Sequence, residues 1–203
     1  MRHGLITMMG CLLLLGGCSL SSVPVADPGP TATADDVART RDGGGAPVFW
    51  LGERHAGERL TSLEHGRETS VLEYGKPQCD ESGCSWSATI ITDGQRDVPF
   101  TDPRRSVAGC WHRLGRAVAF ACPDQETEPE VMVWTGPLQI NAGGFRVTPS
   151  AIRPMNRTAR RVGFVRPVRF TCAELTELAK DPYARPVLRT LPRALAPRGC
   201  RVP

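Results

Sequence analysis

Three histidines follow His3, and two of them, His55 and His65, lie in the charged stretch ERHAGERLTSLEHG at residues 53–66. An imidazole beside a carboxylate such as Glu53 or Glu64 can act as a general base or a metal ligand, provided the groups converge on one point. Their spacing matches neither H-E-x-x-H nor any comparable helix face, so exposed loop histidines are expected. His112 is expected to pack against Phe120. Asp80, Glu81, Asp93, Asp97 and Asp102 are close in sequence and could supply a paired-carboxylate hydrolase, but they stand where solvated loops are expected. The chain has no G-x-S-x-G or S-x-x-K nucleophile motif, no Walker A loop, no G-x-G-x-x-G after a strand and no EF-hand loop. The sequence therefore assigns no catalytic residue, no metal ligand and no cofactor. An envelope hydrolase using His55, His65 or nearby carboxylates is the alternative to a non-catalytic protein.

Cysteine is the other residue type that can do chemistry, and one thiol stands apart. Arg2 and His3 precede an apolar run from Leu5 to Leu15, about the length of a signal-peptide core. A membrane-spanning helix needs about 20 apolar residues, more than this run supplies. The run closes on Leu15-Gly16-Gly17-Cys18, which resembles the lipobox of bacterial lipoproteins. The resemblance implies a signal peptide at 1–17, cleavage before Cys18, and diacylglyceryl transfer to its thiol. It also implies a palmitate-type anchor at the extracytoplasmic side of the cell membrane. Cys11 lies inside the apolar run and would truncate it. Residues 18–46 then read as the lipidated cysteine and a tether. From 19 onward this stretch is rich in Pro, Gly, Ser, Thr and Asp, lacks aromatics, and has an expected reach of about 30 Å.

The six remaining cysteines, Cys79, Cys84, Cys110, Cys122, Cys172 and Cys200, are an even number in a chain read as exported. Disulfides are expected in that compartment, and none of the spacings is the close C-x-x-C of a zinc site. Fifteen pairings are possible. Spacing favours the sequential one, Cys79–Cys84, Cys110–Cys122 and Cys172–Cys200.

Arginine outnumbers lysine 23 to 2, a bias that fits a GC-rich bacterial genome as well as selection for arginine chemistry. In a bacterium, the glycosylation pattern Asn156-Arg157-Thr158 carries no weight. Charge is unevenly spread. Residues 151–203 hold 11 Arg and 1 Lys against 3 acids, a net +9, so residues 1–150 carry −5 of the chain's +4. A basic tail suits an anionic partner, here lipid headgroups or wall polymer contacted by Arg157, Arg160 and Arg161. The bland account is that these arginines pair with the acidic part of the chain. Nucleic acid is not expected, because no aromatic–basic binding module appears.

The elements that must position these residues read as one α+β domain over 47–203. Short Val-, Ile- and aromatic-rich runs at 47–51, 70–74, 86–92, 116–122 and 131–136 are bounded by Gly, Pro and Asp, and predict an antiparallel sheet. In CWHRLGRAVAFAC a three-residue loop at Gly115 would place Cys110 opposite Cys122, His112 opposite Phe120 and Leu114 opposite Val118. Thr171-Cys172-Ala173-Glu174 is a capping box opening a helix. Asp181-Pro182 predicts the start of a second helix. A third is predicted from Pro149 or Pro154 to Val162, ending at Gly163. These short C-terminal helices are expected on one side of the sheet, stapled by disulfides. PVFWLG, a later LT, and SVLEYG followed by paired cysteines are similar to stretches of uncharacterised actinomycete lipoproteins, over roughly residues 47–92. That likeness implies no activity. The function expected is non-catalytic binding or scaffolding at the cell envelope.

Overall fold

The computed structural model describes residues 31–80, 83–122 and 130–200. Cys11, Cys18, the leader at 1–17 and Glu81 lie outside them. The strands are β1 (Phe49–Trp50), β2 (Arg54–His55), β3 (Glu58–His65), β4 (Ser70–Tyr74), β5 (Gln78–Asp80), β6 (Gly83–Ser85), β7 (Ala88–Asp93), β8 (Trp111–Leu114), β9 (Ala117–Phe120), β10 (Glu130–Thr135), β11 (Leu138–Gly144) and β12 (Arg153–Pro154). The helices are α1 (Ala34–Asp42), α2 (Arg157–Val162), α3 (Cys172–Leu178) and α4 (Arg185–Arg189). Eight strands form one sheet in the order β2-β3-β4-β7-β11-β10-β9-β8, with every neighbouring pair antiparallel. The α+β architecture is as the sequence predicts.

Burial along each strand reports how many faces are covered. β4 and β7 alternate between buried and half-buried, the mark of a sheet packed on one side. All four residues of β9 are buried, as are five of six in β10, because both faces are covered there. One face carries Leu60, Leu72, Ile90, Val133 and Ile140, and is roofed by Phe49, Ile152, Met155 and Ala159 of the β1–β12 pair and α2. The opposite face carries Val118, Phe120, Met132 and Trp134, and receives Phe170, Leu175, Val187 and Leu188 from α3 and α4. The helices thus lie on both sides of the sheet, not on one. α2 follows β12 back over the first face, while only α3 and α4 cross to the second.

The folded part also starts earlier than composition suggests. Residues 34–42, read as tether, form α1. Thr33 caps the helix by accepting from the Asp36 amide, and Asp36 answers at the Thr33 amide at 2.8 Å. Arg39 pairs with Asp36 one turn away. Val37 packs against the first core, and the Ala32 amide donates to the Thr61 carbonyl at 2.6 Å, so this segment covers the outer edge of β3. A local capping box outweighs the polar average of the stretch.

At the C-terminal side the Thr171–Glu174 capping box opens α3 as expected. Asp181 does not open α4. Its carboxylate accepts from the Tyr183 amide in a turn, and the helix begins at Arg185 with Pro186 in its first turn. α2 starts at an Asn156 cap, after Pro149–Ala151 has formed a 3₁₀ turn, and ends at Gly163 with φ +58. The three sequential disulfides are present: Cys79–Cys84, Cys110–Cys122 and Cys172–Cys200, with Cα atoms 3.9, 4.2 and 5.9 Å apart.

Asn156 is fully buried and uses its amide three ways. Oδ1 accepts from Val48 at 3.2 Å and from Ala159 at 2.8 Å, and Nδ2 donates to the Ala46 carbonyl at 2.8 Å. Removing it deletes a helix cap and strands two buried main-chain groups. Asn156→Ala is therefore expected to lower stability by about 2–4 kcal/mol, measured by urea unfolding. Paired Cys172→Ser and Cys200→Ser should cost about 3–4 kcal/mol through the 28-residue separation they close, more than removing either shorter bridge.

Candidate functional site

The β8–β9 hairpin builds one wall of a basic cleft. Gly115, with φ +61, leads a two-residue turn completed by Arg116, an arrangement that suits a glycine in first place. The turn is one residue shorter than expected, so the register shifts by one. Trp111 opposes Phe120, His112 opposes Ala119, Arg113 opposes Val118 and Leu114 opposes Ala117. Phe120 therefore packs edge-on against Trp111, with centroids 4.9 Å apart, and not against His112. The Cys110–Cys122 bridge survives because the opposed partner of Cys110 is Ala121, whose amide bonds the Cys110 carbonyl at 2.8 Å. His112 is exposed, and its Nε2 is 2.9 Å from the Ala121 carbonyl, an acceptor that requires Nε2 to carry the proton.

The tail supplies the other wall. After α2 the Thr135 hydroxyl donates to the Gly163 carbonyl at 2.8 Å and accepts from the Val165 amide at 2.9 Å. The Phe164 carbonyl accepts from the Arg116 amide at 3.0 Å. This lays Arg166 beside the β8–β9 turn. Trp111 Nε1 donates to the Thr190 hydroxyl at 3.0 Å, and the chain beyond α4 brings Pro192 and Ala194 alongside. The resulting cleft, of about 500 Å³, is lined by Trp111, His112, Arg113, Arg116, Ala117, Val118, Arg166, Pro192 and Ala194. Arg113, Arg116 and Arg166 are exposed, and the lining has no carboxylate. Such a cleft attracts anions, with an indole surface beside the charges. It holds no hydrolytic pairing of base and nucleophile.

The residues singled out from the sequence are scattered. His55 and His65 stand at opposite ends of β3, about 20 Å apart at strand rise. His55 Nε2 meets the Phe145 carbonyl at 2.9 Å, and its ring lies edge-on to Tyr74. His65 is half-buried, with Nδ1 buried and unpartnered among the described residues. Glu53 is exposed and pairs with Arg41 at 2.8 Å; Glu64 is exposed on β3. Asp80 ends β5. Asp102 turns to the Arg104 amide of its own loop. The Asp97 side chain accepts from the Val98 amide; burial pushes the Glu130 carboxyl above its ordinary range, and the Asp97 charge adds to this. Among the described residues no three His, Cys, Asp or Glu are grouped to hold a metal, and no helix is long and apolar enough to cross a membrane.

Most arginines of the tail are exposed. No arginine from 153 to 198 is in an ion pair among the described residues, so the tail does not neutralise itself against the acidic strands. Arg157 and Arg161 are exposed on α2. Arg160 is partly engaged in structure, donating to the Met155 carbonyl at 2.5 Å and the Arg41 carbonyl at 3.1 Å. Arg113 and Arg116 join Arg166 across about 50 residues of sequence, a convergence with no local signal. Arg113 alone could have been suspected, from its alternation with Trp111 along β8.

No protein-family model matches this chain, nor does any curated protein or solved structure.

The acidic groups occupy the open half of the sheet face on which α3 and α4 pack. Glu73, Thr89, Gly143 and Glu130 form one cross-strand row. Glu73 and Glu130 are three strands apart, about 14 Å, too far to act as a glycosidase pair. Burial pushes the Glu73 carboxyl above its ordinary range, a hydrogen bond from Ser62 offsets part of this, and the Glu64 charge adds to it. The folded chain thus holds that proton to higher pH than the unfolded chain, and ionisation above the range costs stability. Glu73→Gln is expected to raise Tm at pH 7 and to leave it unchanged at about pH 3, where the carboxyl is already protonated. Thermal unfolding at the two pH values checks this.

Proposed function

We propose that this chain is a lipid-anchored extracytoplasmic protein of a bacterial envelope that binds an anionic surface and carries out no chemistry on it. The anchor rests on Leu15-Gly16-Gly17-Cys18, with Cys18 as the acylated first residue. The observation that supports the binding role is the exposed, unpaired arginine face of α2 and its position. Arg160 ties α2 to the Arg41 carbonyl near the C-terminal end of α1, so Arg157 and Arg161 stand on a helix fastened to the first helix of the described chain. An anchor at Cys18 would hold the folded part at the membrane, where this face could meet headgroups or wall polymer.

Mass spectrometry of the membrane fraction should find Cys18 diacylglycerated and first in the mature chain, and Cys18→Ser should leave a membrane association that high salt removes. The full chain carrying Cys18→Ser should still sediment with phosphatidylglycerol vesicles and not with phosphatidylcholine ones. Binding should weaken as salt shortens the screening length from about 10 Å at 0.1 M. Arg157→Glu with Arg161→Glu should weaken it more than Arg54→Glu with Arg59→Glu. Equal affinity for neutral and anionic vesicles would reject the role of α2.

A further inference from the structure

The two outer edges of the eight-stranded sheet are treated differently. On one side, β2, the Ala32 amide and α1 cover β3. On the other, β8 has only β9 as a strand neighbour. The Ala121–Cys110 main-chain bond fixes which groups of β8 point where. Opposed residues in an antiparallel ladder alternate between hydrogen-bonded and non-bonded pairs. His112 and Leu114 therefore turn their amides and carbonyls toward β9, as Cys110 does its carbonyl, while the Cys110 amide donates back to the Val107 carbonyl at 3.3 Å. Trp111 and Arg113 turn theirs outward, and among the described residues neither main chain has a partner on that side. The basic cleft runs along this edge.

We propose that the β8 edge receives an extended acidic peptide segment of an envelope partner, added as a further antiparallel or parallel strand. The main chain of Trp111 and Arg113 offers two amides and two carbonyls, which recognise any extended backbone. Arg113, Arg116 and Arg166, with no carboxylate in the lining, select glutamate or aspartate at alternating positions. Trp111 offers an indole surface to the apolar part of such a strand. Charged residues on an edge can also serve merely to repel other strands. Here, however, Arg166 arrives from a distant segment, and Pro192 and Ala194 line the same cleft, so the edge borders a concave basic surface and is not a bare rim. A second copy of this chain is a poor occupant, because pairing two β8 edges would bring arginines against arginines. This inference goes beyond the α2 surface role and does not require it.

The test uses the full chain with Cys18→Ser and a labelled Ac-(Glu-Thr)₄-amide peptide, read by fluorescence anisotropy and by amide hydrogen exchange. Binding is expected, with protection of the Trp111 and Arg113 amides. Affinity should fall about tenfold or more when alternate peptide amides are N-methylated, and by a similar factor in Arg113→Glu and, separately, Arg166→Glu. Ac-(Lys-Thr)₄-amide should not bind. Arg157→Glu with Arg161→Glu should leave peptide binding intact, which separates this site from the vesicle-binding face. Equal affinity of the N-methylated peptide, or unprotected Trp111 and Arg113 amides, would overturn the proposal in favour of a polyanion held by charge alone. Absence of binding together with self-association of Arg113→Glu would show that the arginines only guard the edge.

Discussion

A single buried carboxamide organises the roof of this sheet. Asn156 holds the Ala46 and Val48 main chain with one end and the first turn of α2 with the other. Everything on that face follows from where it sits. It sets the height of β1 and β12 over the sheet, with the Met155 amide bonded to the Val48 carbonyl. It starts α2, so that Gly163 falls over the β10–β11 turn and Thr135 catches the chain on both sides of Phe164. Phe164 in turn steadies the β8–β9 turn through Arg116. The arginine cleft is thus positioned by a chain of hydrogen bonds that begins at a residue with no charge and no exposure.

The opposite face is held by a different kind of tie. Arg96 has a largely buried side chain that donates to Glu174 at 2.6 Å and to the Val168 carbonyl at 2.9 Å, and it stacks over Phe170. Burial alone would raise the Glu174 carboxyl, but the Thr171 bonds and Arg96 together bring it below its ordinary range. Trp134 and Gln139 fasten the same loop, through the Asp97 carbonyl at 3.2 Å and the Asp97 amide at 2.7 Å. Polar groups at these depths are acceptable because each has a partner. They also fix α3 against the strands with a directionality that Leu175 and Val187 alone would not provide.

Local signals were legible where they were self-sufficient. The SVLEY run is β4 to the residue, and the Thr171 box is the start of α3, because each is decided by its own few side chains. β3 was hidden. It buries Leu60 and Ser62 between Glu58-Arg59 at one end and Glu64 at the other, so its apolar pattern is thin, and its bulge between Leu60 and Ser62 breaks the period of two. β11 carries Asn and two glycines and is a strand because β7 and β10 flank it. The β8–β9 register differs by one residue from the expected one. In a strand that slip exchanges faces, so Phe120 moved from His112 to Trp111. Of the site, arginine abundance was visible in composition, but the meeting of Arg113 with Arg166 depends on the path after α2 and leaves no trace in spacing.

The disulfides have a consequence for the order in which the molecule can be made. Each joins a cysteine to the next one along, across separations of 5, 12 and 28 residues, and no bridge spans another. A chain threaded through a membrane from its N-terminus exposes both partners of one bridge before the next cysteine emerges. An oxidant that links thiols in order of arrival therefore makes the native set. If the chain is exported with Cys18 capped by lipid, as proposed, oxidation in that order would leave no mispaired cysteines to reshuffle.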